Sequence, residues 1–244
     1  MAAYCGGCQE DTRRSGHEGM RRFADLCVRP PEWDLAVQER MAALAREAGL
    51  SSVGLRFRSE AQTGQKESTA KIFRDAGLDC AFGVEIAPAS RKQLLRQVRT
   101  LRERFDFIAV RSSDPATLAA ASRDSRVDLV SLELQKSLRV KHSILKACRT
   151  ALELELSRIL RPPAGAVYES LRSLCFEIEM VKRFRTEVVL SSGAAGPLGL
   201  RSPRDMAALA TLLGLPPEIA LDAISTRPLS LIKKGREWLT GRRA

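Results

Sequence analysis

The chain has 244 residues, 44% of them hydrophobic, enough for one large core and no reason to require two domains. Lys and Arg number 40 against 29 Asp and Glu, a net charge of +11, and such an excess attracts polyanions, with nucleic acid first among them. An aromatic content of 5% argues against gripping single strands by rows of stacked rings; no apolar run approaches the roughly 18 residues of a membrane span, and the N-terminus lacks the apolar segment of a signal peptide, so a cytoplasmic protein with no membrane partner is expected.

Residues 1–22 hold Gly, Ser and charges without hydrophobic period, which predicts a disordered extension in which Met20 is an alternative start. Cys5-x-x-Cys8 and His17 offer three of the four ligands of a structural zinc site, but the nearest fourth, Cys27, lies on a predicted strand. An unstructured tail is the simpler reading. The other cysteines, such as Cys27 in "ADLCVRP" and Cys80 in "LDCAFGV", sit in apolar contexts as small hydrophobes, and no disulfides are expected.

From residue 23 onward short apolar, β-rich runs alternate with amphipathic stretches, the pattern of βα units around a parallel sheet. Strands are predicted at 23–28, 52–57, 80–86, 105–110, 127–132, 151–156 and 187–191. The fold class is thus α/β: a TIM-like barrel of about seven to eight strands in one domain, residues 23–232, followed by a basic tail over 233–244. A helix is expected from Glu32 to Ala48, stopped by Gly49, and another from about Arg91, capped by Ser90. In the second helix Leu94, Val98 and Leu101 share one face, with Lys92, Arg96 and Arg99 opposite: one side to pack and one basic stripe. In the strand at 151–156, Leu152, Leu154 and Leu156 alternate with Glu153 and Glu155, which suits a barrel strand with carboxylates pointing into a polar interior or its mouth, the alternative being an irregular or edge strand.

The stretch "VVLSSGAAGPLGLRSPRDMAALATLLGL" (188–215) passes from strand through a Ser/Gly loop into a helix, an arrangement that often cradles phosphate. Its spacing matches neither phosphate-loop nor dinucleotide fingerprint, and Ser202-Pro203-Arg204-Asp205 is explained by helix initiation, with Ser202 as N-cap and Pro203 at the first position. Histidine is scarce: His17 in the tail and His142 on a predicted helix leave a metallohydrolase barrel without its usual ligands. The residues following the predicted strands are instead rich in arginine, including Arg29, Arg56, Arg58, Arg111 and Arg158. Guanidinium groups bind phosphate bidentately but are not general bases. Each arginine has a simpler alternative use, pairing with neighbouring carboxylates.

The segments "FADLCV" (23–28), "FDFIAVRSSDPATLAAASRDSRVDLVSL" (105–132), "ALELELSRILR" (151–161) and 188–215 together resemble, in collinear order over about residues 20–232, the family of protein component 3 of archaeal ribonuclease P, the thirty-kilodalton subunit shared with the eukaryotic enzyme. The combination of V-R-S, D-S-R-V-D, S-S-G-A and L-R-S-P-R-D carries the resemblance. It implies a barrel related to polymerase-and-histidinol-phosphatase-type hydrolases that has lost its metal site; where those relatives carry H-x-H after the first strand, this chain reads Asp25-Leu26-Cys27-Val28. It further implies a non-catalytic subunit of a ribonucleoprotein whose RNA, using Mg²⁺ that this chain does not bind, removes the 5′ leader from precursor tRNA. The subunit would pair with a small ferredoxin-like protein and support the catalytic domain of the RNA. On this reading the candidate RNA- or partner-binding residues are Arg111, Arg126, Arg158, Arg201 and Arg204, with Lys92, Arg96 and Arg99 as a second patch. The extension 1–19 and the loop 58–70 lie outside the match. The competing classes are a metal-dependent phosphoesterase using Asp25, Glu85, Glu133 and Glu155, since carboxylates alone hold Mg²⁺ or Mn²⁺, and a protein scaffold with no RNA contact.

Overall fold

The computed structural model describes residues 21–31, 34–58, 64, 66–162 and 164–241; the expected extension with Cys5, Cys8 and His17 lies outside them. Seven strands, β1 (Ala24–Val28), β2 (Ser52–Phe57), β3 (Asp79–Ile86), β4 (Phe107–Arg111), β5 (Leu129–Ser131), β6 (Ala151–Glu155) and β7 (Val188–Ser191), pair in parallel in chain order. All seven lie where the hydrophobic pattern put them, with ends moved by at most two residues. The sheet curls into a nearly closed barrel. At its C-terminal end the seam is joined by an isolated parallel bridge, Val28 to Ala194, with Arg29 N–H donating to the Ala194 carbonyl at 2.7 Å. At the other end two residues stand in for an eighth strand: Leu190 N–H donates to Ala223 O and Ala24 N–H to Ile224 O, both at 2.9 Å.

Ten helices are described: α1 (Leu35–Glu47), α2 (Lys66–Asp75), α3 (Arg91–Leu101), α4 (Pro115–Ala121), α5 (Leu138–Lys146), α6 (Ser157–Leu160), α7 (Val167–Phe184), α8 (Pro203–Leu212), α9 (Pro217–Asp222) and α10 (Thr226–Leu239). Helix α1 starts later than the periodicity indicates because Asp34 caps it, its carboxylate accepting from Val37 N–H at 3.0 Å; Glu32 and Trp33 are outside the described residues. Gly49, at φ +92°, ends that helix as expected, since the left-handed region is costly for residues with a Cβ. Ser90 and Ser202 cap α3 and α8 as the sequence indicates.

Outward-facing strand residues such as Val53, Leu55, Val84, Ile108 and Leu152 join the inner faces of the helices in the main core. The barrel interior is made differently. Phe107 fills its middle, and room for the ring comes from missing side chains: a Cβ on Gly83 would lie 2.1 Å from the Phe107 ring, and one on Gly54 2.8 Å from it. Ala24, Leu26, Ala81, Ala109, Leu129, Ala151 and Val189 complete this apolar plug.

The N-terminal mouth is sealed by α10, which corrects the expected boundary at residue 232. The helix continues to Leu239, with Ile232 buried among the plug residues and Gly235 pressed so closely on Asp106 that a Cβ would fall 1.6 Å from its carbonyl oxygen. The basic run that reads as a tail is held by rim carboxylates: Lys234 Nζ to Asp128 at 3.2 Å and Arg236 bidentate to Asp79 at 2.7 and 3.1 Å.

Candidate nucleic-acid interface

In a parallel barrel the strand ends at the C-terminal mouth converge, and polar side chains placed there have the geometry for chemistry. Here they neutralise one another. Arg29 donates to Glu85 Oε2 at 2.6 Å and forks onto both oxygens of Glu155 at 3.2 and 3.1 Å. Arg56, its side chain fully buried, bonds Glu153 at 2.7 Å and lies 3.6 Å from Glu85. Arg111 reaches Glu85 at 3.1 Å and Glu133 at 3.5 Å, and Arg58 approaches Glu85 at 3.8 Å. Ser191 Oγ donates to the second oxygen of Glu153 at 2.7 Å, and Ser157 Oγ to Glu155. Four guanidinium groups and four carboxylates alternate across the mouth.

Burial by itself would raise the Glu155 carboxyl, but the Arg29 fork and the Ser157 hydroxyl outweigh it and hold the group down to about 2. Glu85 is likewise lowered, burial being overcome by Arg29, Arg56 and Arg111. These carboxylates are anions bound to fixed cations, poor proton acceptors for a reaction. Asp25 is raised by complete burial, and its Oδ1 accepts from Cys27 N–H at 3.0 Å and Ser192 N–H at 3.2 Å. It stitches the β1–β7 seam. Of the four carboxylates of the phosphoesterase reading, Glu85 and Glu155 are held by arginine, Glu133 meets Arg111 at 3.5 Å, and Asp25 engages backbone N–H groups through Oδ1. Among the described residues no three of His, Cys, Asp and Glu are grouped as metal ligands.

Of the expected interface residues, Arg111, Arg126, Arg158 and Arg201 each have partners within the chain. Arg158 is buried, bonding Glu177 at 2.8 and 3.0 Å and Ser173 at 2.9 Å, while Lys141 shares the same Glu177 carboxylate. Burial raises the Glu177 carboxyl but Arg158 and Lys141 prevail, and it is lowered. Arg158 is only slightly exposed, at the wall of a cleft of about 740 Å³ that it lines with Leu134, Lys136 and Ser170. Arg126 is clasped by Asp124 at 2.6 and 2.9 Å, and Arg111 belongs to the mouth. Arg201 turns back on its own loop, donating to Leu198 O at 2.8 Å and Leu200 O at 2.6 Å. In the sequence Arg111 and Arg158 stand out by following a strand, and Arg126 and Arg201 by lying in the motifs of the resemblance; neither signal tells which partner within the chain each will meet.

Lys92, Arg96, Arg99 and Arg204 are exposed and have no ion-pair partner among the described residues. The first three stand on α3, whose opposite side buries Leu94, Val98 and Leu101, so the stripe follows from amphipathic packing. Arg58 and Arg96 flank a cleft of about 370 Å³ beside it. The second patch is therefore a coherent cationic face, and Arg204 stands apart from it on α8.

A model of the family described as RNase P subunit p30 matches residues 22–238. Ribonuclease P protein component 3 of Methanosarcina mazei is 29% identical over 223 residues, covering 89% of this chain and 92% of that protein; the protein of the same name from Halobacterium salinarum is 29% identical over 195 residues, 79% and 82% of the two chains. Among solved structures, a chain of the cryo-EM structure of archaeal ribonuclease P with mature tRNA superposes with a TM-score of 0.70 at 19% identity, over 88% of this chain and 93% of that one. That likeness is one of fold.

Proposed function

We propose, from the premise that the chain belongs to the RNase P subunit p30 family and is a protein subunit of ribonuclease P, that it acts there without catalysing the cleavage itself, by binding and supporting the RNA. The observation that carries this reading is the arginine–carboxylate lattice across the C-terminal mouth, which occupies the place where a barrel enzyme keeps its reactive groups. Among the outward cations, Lys92, Arg96 and Arg99 share one face of α3, and Arg204 stands on α8. Contacts from such a stripe go to phosphate and sugar, because paired RNA hides its base edges in a deep groove. Neutralising phosphate repulsion lets the RNA hold its fold, and binding should weaken steeply with salt.

The finer partners follow from the family reading: the RNA of the particle, a small ferredoxin-like protein alongside this chain, and precursor tRNA reached through the assembled complex, with the Mg²⁺ of the reaction held by the RNA. No helix among the described residues is long and apolar enough to cross a membrane, and a cytoplasmic location fits tRNA maturation. The test is cleavage of precursor tRNA by the cognate RNA at moderate Mg²⁺, with and without this chain and its small partner. Stimulation only when RNA and both proteins are present is expected. Cleavage by the chain without RNA, lost in Glu85→Gln, would return the chemistry to the carboxylates.

A further inference from the structure

The cleft between Arg58 and Arg96 differs in kind from the stripe beside it. Helix α3 sets three chemistries around its axis: Leu94, Val98 and Leu101 face the barrel, Lys92, Arg96 and Arg99 face water, and half-buried Gln97 with exposed Thr100 stands on one flank between them. That flank, together with Arg58 just past β2 and with Val84 and Ile86 of β3, bounds about 370 Å³. Alternation along β3 sends Glu85 into the barrel mouth and Val84 and Ile86 the other way, so the floor of the cleft is aliphatic.

Its charge is of one sign. Among the described residues that line it none is acidic, and α3 itself carries Arg91, Lys92, Arg96 and Arg99 with no Asp or Glu. On the adjoining elements, Glu85 serves the arginines of the mouth and Glu67 of α2 pairs with Arg74 at 3.3 Å. Asp75 and Glu103 are exposed at the C-terminal ends of α2 and α3, away from Arg58.

Gln97 adds a directional group. Its Oε1 is shielded from solvent and accepts no hydrogen bond from the described residues, an arrangement that costs roughly 1–3 kcal/mol for a buried acceptor. Turning the carboxamide presents a donor and an acceptor side by side, the pattern that pairs with the edge of a nucleobase. Thr100 Oγ1 donates to the Arg96 carbonyl at 3.3 Å and keeps its lone pairs for an amino group. Arg96 belongs to both surfaces, standing in the stripe between Lys92 and Arg99 and lining the cleft. In a chain with 5% aromatic residues, guanidinium planes are the available platforms on which a base stacks.

We propose that this cleft receives one unpaired nucleobase of the ribonuclease P RNA. The base sets its Watson–Crick edge on Gln97 and its ring over the aliphatic floor between the Arg58 and Arg96 guanidinium groups, while the flanking phosphates lie along Lys92 and Arg99. The proposal rests on the RNA-facing reading of α3 and gives that face a sequence preference, which phosphate contacts alone do not supply. Proteins read RNA sequence at bases splayed out of loops and bulges, and such a base brings its own phosphates to the stripe. The volume is close to the lower end of small-ligand clefts, about 300 Å³, which admits a single base and excludes a helix or strand of a protein.

The test reconstitutes the particle from the cognate RNA, the other purified subunits and this chain as wild type, Gln97→Leu, Thr100→Trp or Lys92→Ala/Arg99→Ala. Gln97→Leu keeps the volume and removes the base-edge pair, and Thr100→Trp fills the cleft from an exposed position; unchanged circular dichroism and melting would show both folds intact. Dimethyl sulfate and a carbodiimide, which between them modify the Watson–Crick edges of all four bases, read the RNA. One unpaired base, shielded by the wild-type chain, should react in both cleft variants and stay shielded in the stripe variant. Affinity should fall about tenfold in Gln97→Leu with the salt slope unchanged, whereas the stripe variant should lower that slope by about 1 to 2. A footprint identical in wild type and cleft variants, a lower salt slope in Gln97→Leu, or its loss of binding to a purified protein subunit without RNA would each overturn the base cleft. The two readings fail separately: an unchanged slope in the stripe variant removes RNA phosphates from α3, and an unchanged footprint in the cleft variants removes the base.

Discussion

The meaning of an arginine in this protein depends on what stands within 4 Å of it. Arg29, Arg56, Arg111 and Arg158 follow strands just as phosphate-binding arginines do, yet each is matched by a carboxylate from a distant part of the chain. Glu177 is the extreme case, since it alone answers both Lys141 and Arg158 in a buried site. Glu177→Gln should therefore destabilise the fold by about 3 to 5 kcal/mol, because two buried cations lose their counter-ion, and urea unfolding would read this as a lower midpoint. Glu155 makes a prediction in pH. Its carboxyl, near 4.5 when free, is held at about 2 in the folded protein, so the stabilisation is complete above pH 4.5 and is lost as pH falls from there toward 2. It is on the order of 3 kcal/mol. Acid unfolding of Glu155→Gln should show a flatter limb over that window and lower stability at pH 7. The alternation of Glu153 and Glu155 was legible in the sequence, with the inward direction as one of two readings; the identities of Arg29 and Arg56 as their partners were not, because 126 and 97 residues separate them.

Elements were legible where pattern and punctuation agree. Each strand is an apolar run that packs on helices from outside, and Ser90, Ser202 and Gly49 mark helix ends by local chemistry that needs no tertiary information. Helix α10 went the other way. Its second half reads as a solvated basic tail because Lys233, Lys234 and Arg236 dominate the count, and a glycine in mid-helix weakens the local preference. The barrel floor reverses this: Gly235 is what allows the helix to lie on Asp106, and the charges find Asp79 and Asp128. Gly235→Val should cost about 3 kcal/mol as an overpacked contact that the backbone cannot relieve, and a chain ended at residue 232 should lose its cooperative thermal transition in calorimetry. A tail of no structural consequence would leave both unchanged.

For the molecule as a whole, the net charge of +11 is not spread evenly in its effect. The arginines of the mouth are cancelled by its carboxylates, so the excess lies outside it, and Lys92, Arg96 and Arg99 on α3 are one exposed cluster without ion-pair partners among the described residues. If RNA is held there through phosphates, removing Lys92, Arg96 and Arg99 together should lower the slope of log affinity against log salt by about 2 to 3 and weaken all RNA sequences alike. Filter binding across a salt series would check this, and an unchanged slope would move the RNA to another face.

The sequence by itself determined the barrel, its strand sequence, the basic face of α3 and the family, because hydrophobic period, capping residues and collinear motifs are all written in short stretches of chain. Only the tertiary structure decided which charges remain for partners. Closing seven strands into a ring brings residues more than a hundred positions apart to one mouth, where Arg29 on the β1 end meets Glu155 on the β6 end and Arg111 meets Glu85. That outcome depends on which strand ends converge, and it is a property of the closed ring rather than of any segment in it.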